Sequence, residues 1–218
     1  MGQSRNRFLA LILLLGSFAV LSSAQARRTT RPDPLPRISA PEIARQKALG
    51  APTAPIKIED FTDFQCPACR TLYVQTLRPL IDDYVASGKV YLVHHDFPLD
   101  MHPYSRQAAF YANAAAAIGQ FEPVERALFL HQPEWESNGN IKRFLAAVLK
   151  PGDLKRVEAL AQTREIQDVV AQDVRLGQQW NVRQTPTMFI TYKGRRTPVV
   201  GVIQYSTLRG YLDALLRQ

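Results

Sequence analysis

The chain contains two cysteines, Cys66 and Cys69, and they stand three apart where a strand pattern gives way to a helical one. Random placement would give that spacing on the order of 1% of the time, so the pair asks for a reason. Ile56 to Phe64 reads as a strand that runs straight into Cys66-Pro67-Ala68-Cys69. Leu72, Tyr73, Thr76, Leu77, Leu80, Ile81, Tyr84 and Val85 then recur at helical spacing, with Pro79 expected to kink the helix and Ser87-Gly88 to end it. Val90 to His95 is a second strand, rich in β-branched and aromatic residues. Strand, helix, strand at this length is a βαβ unit, which gives parallel strands and a right-handed crossover.

The position of the pair suggests its chemistry. Cys66 ends a strand and opens a helix, so its sulfur lies near unpaired backbone N–H groups and the positive end of the helix dipole. Both favour thiolate over thiol. Pro67 takes the first helical position, where its missing N–H costs nothing. Cys69 lies one turn on, on the same face and within reach of a disulfide. A redox-active dithiol is the leading reading, in which Cys66 attacks or is attacked and Cys69 resolves the mixed disulfide. A structural disulfide is a rival, though so small a closed loop constrains the unfolded chain little. A metal site is another, with His94, His95 and His102 as the available donors but no second CxxC or regular His pair. Two merely buried thiols are the third.

The rest of the chain is ordered by composition. Arg5 and Arg7, the 14-residue apolar run Phe8 to Leu21 and the small residues Ala24-Gln25-Ala26 are laid out as a secretory signal peptide over residues 1–26, with an N-terminal membrane anchor as the alternative. The run is short for a span of about 20 residues. Residues 27–53, with five prolines and several arginines, read as a basic linker with at most a short helix around Glu42 to Leu49. The formal charge of +8 falls to +6 once Arg5 and Arg7 are removed, a value that permits anionic surfaces but fixes no partner. With 46% hydrophobic and 21% charged residues the chain can build a sizeable core, which argues against collagen, coiled coil and wholesale disorder.

Beyond Asp100 the pattern turns helical up to Trp180. Helices are expected over Tyr104 to Ile118, over Pro123 to His131, after an Asn140 cap and after an Asp153 cap, with Pro151-Gly152 closing the third and Ile166, Val169, Val170 and Val174 marking a last one. Thr187 to Tyr192, the turn Lys193-Gly194 and Thr197 to Val202 give a hairpin signal, and Ser206 can cap a final helix. The fold class is therefore α/β, in the order βαβ, helical block, ββα. His94 and His95 fall on opposite faces of their strand, so both cannot reach the sulfurs.

The run Phe61-Thr62-Asp63-Phe64-Gln65-Cys66-Pro67-Ala68-Cys69, with Thr185-Pro186-Thr187 far downstream, resembles the DsbA-like branch of the thioredoxin superfamily. The likeness covers roughly Ala54 to Leu216 and implies a thioredoxin-like fold in two parts, 54–99 and 181–218, split by a helical insertion domain, 100–180. It matches Cys66 to an exposed nucleophile, Cys69 to a buried resolving cysteine, Pro186 to a cis-proline facing the disulfide and Thr185 to the residue before it. Thr185, Pro186, Pro67 and Ala68 would then meet the substrate peptide. Asp60, six residues before Cys66, matches an acidic residue beneath the disulfide, where a carboxylate could relay a proton.

The resemblance implies an extracytoplasmic thiol:disulfide oxidoreductase, acting on cysteine pairs of exported proteins. It implies no metal or cofactor besides the disulfide, no nucleic acid, a membrane redox partner that resets the site, and a monomer in the periplasm or its equivalent. A reductase or isomerase of the same fold, and a peptide-binding or chaperone module, are the alternatives. The best-known oxidases of the branch carry histidine where this chain has Ala68. Alanine offers the thiolate no charge or hydrogen bond, so the potential is expected between thioredoxin-like reductants and the strongest oxidants, roughly −120 to −270 mV.

Overall fold

The structure is a computed structural model that describes residues 39–218; the expected signal peptide and the first part of the expected linker lie outside the described residues. Helix α1 (Ala40–Gln46) leads into a two-residue strand, β1 (Ala48–Leu49). Strand β2 (Ile56–Thr62), helix α2 (Pro67–Leu72), a π-helical turn (Tyr73–Leu77), the short α3 (Arg78–Leu80), a second π-helical turn (Ile81–Val85) and strand β3 (Val90–Asp96) make the βαβ unit. Helices α4 (Ser105–Ala116), α5 (Phe121–Leu130), α6 (Gln132–Trp135), α7 (Ile141–Val148), α8 (Pro151–Leu160) and α9 (Arg164–Gln179) form the insertion. Strands β4 (Thr187–Tyr192) and β5 (Arg195–Val200) and helix α10 (Tyr205–Leu216) complete the chain. The sheet order is β1-β3-β2-β4-β5, with β2 and β3 parallel and the other pairs antiparallel. This is the α/β fold with a helical insertion that the motif order implies.

Both sheet faces are covered. Ile56 and Ile58 of β2 and Met188 and Ile190 of β4 face the main core, which includes Leu72, Leu80, Leu208 and Leu212 of the helices. Phe61 and Phe189 point to the other side and pack with Val182, Phe97, Leu176 and Trp180. Gly177 lets α9 approach closely there, since a Cβ at that position would meet the Phe97 ring at 2.6 Å. Trp135 is fully buried in the helical block, its indole N–H donating to the Leu128 carbonyl.

Several local expectations shift. Pro79 lies in α3 between two π-helical turns, which carry the helix past the backbone bond that proline cannot make. Pro151 does not close a helix; it opens α8 at N1, with Lys150 rather than Asp153 as N-cap. At the hairpin, Lys193 and Gly194 both take positive φ (46° and 76°), so β5 pairs directly from Arg195 and ends at Val200 rather than Val202.

The larger correction is at the N-terminus. The stretch expected to be linker with at most a short helix around Glu42 to Leu49 does hold a short helix, α1, but it also contributes β1, which pairs antiparallel with β3 (Ala48 opposite Val93). Ile43 is buried in the main core. Lys47, also buried, holds its ammonium 2.7 Å from Asp96 Oδ2 and 2.5 Å from Asp173 Oδ2. The fold therefore begins by Ala40, because a lysine that reads as a solvated linker residue finds two buried carboxylates.

Candidate active site

The parallel pairing of β2 and β3 brings the C-terminal ends of both strands to one edge, and the chain leaves β2 there through Asp63-Phe64-Gln65. Cys66 is the N-cap of α2 and Pro67 its first residue. Across the gap, the Thr185–Pro186 peptide bond is cis, and the Thr185 carbonyl accepts from Cys66 Sγ at 3.6 Å. Residues about 119 positions apart thus meet at one sulfur. Pro67 is exposed and Ala68 half-buried beside it.

The two sulfurs differ in surroundings. A hydrogen bond from Cys69, reinforced by the Thr185 side chain and by the backbone N–H groups of Ala68 and Cys69 and opposed by partial burial, lowers the Cys66 thiol to a pKa of about 5. Burial pushes the Cys69 thiol well above its ordinary value, and the neighbouring Cys66 adds to that. The helix start therefore holds charge on the first sulfur and the proton on the second. Cys66 is less exposed than expected: it keeps 7% of its surface against 1% for Cys69. The Thr185 loop covers it from one side, and Gln132 from α6 donates to both the Phe64 and Cys66 carbonyls.

Asp60 lies on β2 opposite His94 of β3 and Met188 of β4, fully buried, with no hydrogen-bond partner for Oδ1. Burial raises its pKa to about 7, against the pull of His94. His94 lies between Glu125 (3.1 Å) and Asp96 (3.2 Å); these outweigh its burial and raise it to about 9. His95 points to the other face, toward Asp173 (2.9 Å), stacked on Phe61. The two histidines take opposite faces as the alternation requires, and neither bonds a cysteine.

The buried acid has a consequence for stability. A carboxyl that ionises near 7 when folded and near 3.8 when unfolded costs nothing below pH 3.8. The cost grows as pH rises from about 3.8 to about 7 and then levels off at about 4 kcal/mol. Asp60→Asn is therefore expected to be more stable than wild type by a few kcal/mol at pH 8, with the gain fading below pH 4; urea titrations at both pH values measure it.

Sequence reasoning did not single out Asp63, Gln65 or Gln132, which tie the redox loop to the helical block. Gln65 Nε2 donates to the Glu136 carbonyl, and its Oε1 accepts from the Tyr104 N–H. Asp63 and Gln65 stand inside the motif that carried the resemblance, but nothing local announces their partners.

Residues 44–214 match the thioredoxin family. The chain belongs to that family. It is 25% identical over 150 residues to a probable disulfide bond formation protein D of Bacillus anthracis, covering 66% of this chain and 69% of that protein. Its fold matches alpha-DsbA1 of Wolbachia pipientis with a TM-score of 0.68 at 21% identity, over 78% of this chain and 89% of that one. It matches oxidised BdbD from Bacillus subtilis with a TM-score of 0.65 at 21% identity, over 79% and 94%. These two likenesses show the fold, helical insertion included.

Proposed function

We propose that this DsbA-like protein exchanges disulfides with cysteine pairs of exported proteins outside the cytoplasm, acting as an oxidant. That it is a thiol:disulfide oxidoreductase follows from family and chemistry together, and its redox group is the Cys66–Cys69 pair. One observation carries the reading: a sulfur held as thiolate at a helix N-terminus, one turn from a partner sulfur whose proton is held by burial.

In the oxidising direction a substrate thiolate attacks Cys66 Sγ. The Cys66–Cys69 bond breaks and Cys69 leaves with the electron pair, taking up a proton. A second substrate thiolate attacks its neighbour in the mixed disulfide and releases Cys66 as a thiolate. The substrate loses two electrons and two protons, and the protein holds the electrons as a dithiol. Asp60, whose acid form persists near neutrality, is assigned the proton relay to Cys69. Thr185 and Pro186 present backbone to an extended peptide, with Pro67 and Ala68 at its edge. A membrane redox partner takes the two electrons and resets the site. The layout of residues 1–26 supports export.

Two measurements test this. Reduced protein treated with iodoacetamide near pH 6 is expected to label at Cys66 at least tenfold faster than at Cys69, by peptide mapping. Oxidised protein is expected to convert a dithiol peptide to its disulfide, and Cys66→Ser to lose that activity. Faster labelling of Cys69 would reverse the roles, and turnover by Cys66→Ser would end the proposal.

A further inference from the structure

We propose that Asp63 is a positioning residue of the exchange reaction: its buried carboxylate clamps the redox loop so that its own backbone N–H is held against the Cys69 sulfur. The inference rests on the reading of Cys69 as the resolving cysteine.

Asp63 touches both cysteines through its main chain. Its N–H donates to Cys69 Sγ at 3.4 Å, and its carbonyl accepts the Cys66 N–H at 3.1 Å. The side chain, with no exposed surface, is held by four donors. Oδ1 accepts the Gln65 N–H at 2.8 Å and the Ser105 hydroxyl at 2.5 Å. Oδ2 accepts the Leu99 N–H at 2.9 Å and His102 Nδ1–H at 2.7 Å. One donor comes from the redox loop; the other three come from the segment that leaves β3 and enters α4. The carboxylate therefore bolts the cysteine loop to the start of the helical insertion, and the rotation of the 62–63 peptide follows from where that carboxylate sits.

The chemistry needs such a donor at that sulfur. Cys69 carries negative charge whenever it leaves from the disulfide or attacks the mixed disulfide, and it does so buried, away from water. A fixed N–H stabilises that charged form and not the neutral thiol. Cys66 has its own donors at the helix start, so a fault in the Asp63 clamp should slow the step in which Cys69 attacks or leaves and spare the step in which Cys66 exchanges alone.

Asp63→Asn keeps the size of the side chain but turns an NH₂ group toward one pair of donors. His102 can switch tautomer to accept from it; the backbone N–H facing the same position cannot. The experiment mixes reduced protein with oxidised glutathione and follows, by acid quench and mass spectrometry, formation and decay of the Cys66–glutathione mixed disulfide. Cys66 attacks one glutathione sulfur and expels the other as thiolate. Cys69 then attacks Cys66, expels the second and closes the protein disulfide. For Asp63→Asn we expect formation at the wild-type rate and decay slowed by about tenfold or more, the worth of a hydrogen bond to a charged group. Ser105→Ala, which removes one clamp donor and leaves Asp63 in place, is expected to slow decay less and formation not at all; it also serves if Asp63→Asn does not fold. Decay at the wild-type rate in either folded variant, or equal slowing of both steps, would overturn the proposal. Failure of the wild type to form the Cys66 adduct would instead overturn the assignment of roles on which it rests.

Discussion

Replacing Lys47 with methionine is expected to destabilise the folded protein by about 3–5 kcal/mol at pH 7, the cost of leaving a buried ion pair half-empty. For a domain of this size that lowers the melting temperature by on the order of 10 °C. The ammonium is within 2.7 Å of Asp96 and 2.5 Å of Asp173, both themselves buried. Methionine fills the space but leaves the two carboxylates facing each other. They are not bare: Asn113 and His94 also serve Asp96, and His95 and the Asp96 N–H serve Asp173. None of these supplies the cation that lies between them.

The pH dependence carries a sign that tests the cause. In the wild type, Lys47 and the histidines hold both carboxyls below their ordinary values despite burial. Groups with depressed folded pKa contribute stability that is present above their unfolded value, near 3.8, and lost as pH falls through the folded one. The gap between wild type and Lys47→Met should therefore be widest near neutrality and narrow in acid. Adding Asp173→Asn to Lys47→Met should recover part of the loss, since one unpaired charge is then gone. A variant that melts with the wild type at pH 7 would show that the pair holds nothing together.

The same lysine shows where sequence reading stops. The βαβ unit, the hairpin turn and most of the helices are legible because their signals are local: a strand run from Ile56 into the cysteine motif, helical spacing after Cys69, and a Lys193-Gly194 turn whose positive φ angles suit a tight hairpin. Lys47 has no such signal. Its partners lie 49 and 126 residues away, and a lysine among prolines and arginines reads as solvent-facing. Asp63 is similar, for its clamp is closed by Leu99, His102 and Ser105, up to 42 residues on. The chemistry of Cys66 could be read from its place at a helix start; its near-complete burial could not, because Thr185 and Gln132 arrive from distant segments.

The midpoint potential of the Cys66–Cys69 couple is expected to fall with pH in two slopes, breaking near pH 5. Above the break the reduced protein carries Cys66 as thiolate and Cys69 as thiol, so oxidation releases two electrons and one proton. That gives about −30 mV per pH unit. Below the break both sulfurs are protonated, two protons leave with two electrons, and the slope steepens to about −59 mV per unit. The break marks the Cys66 pKa, so the titration reads it without a label. The same shift sets the poise. An ordinary thiol at 9.0 is protonated at pH 7, so lowering Cys66 to about 5 stabilises the reduced form by about 3 kcal/mol, or roughly 60 mV. Ala68→His should move the break to lower pH and raise the potential at pH 7 by some tens of millivolts at most, because it adds a donor that only the thiolate uses. If Asp60 titrates differently in the two redox states, a second inflection appears near pH 7 and vanishes in Asp60→Asn, which gives the proton relay a direct readout. Equilibration with glutathione buffers of known potential from pH 4 to 8, with thiols quantified by mass, measures all of this. A uniform −59 mV per unit across that range would mean Cys66 is a neutral thiol at work, and a potential below about −270 mV at pH 7 would mark the protein as a reductant rather than an oxidant.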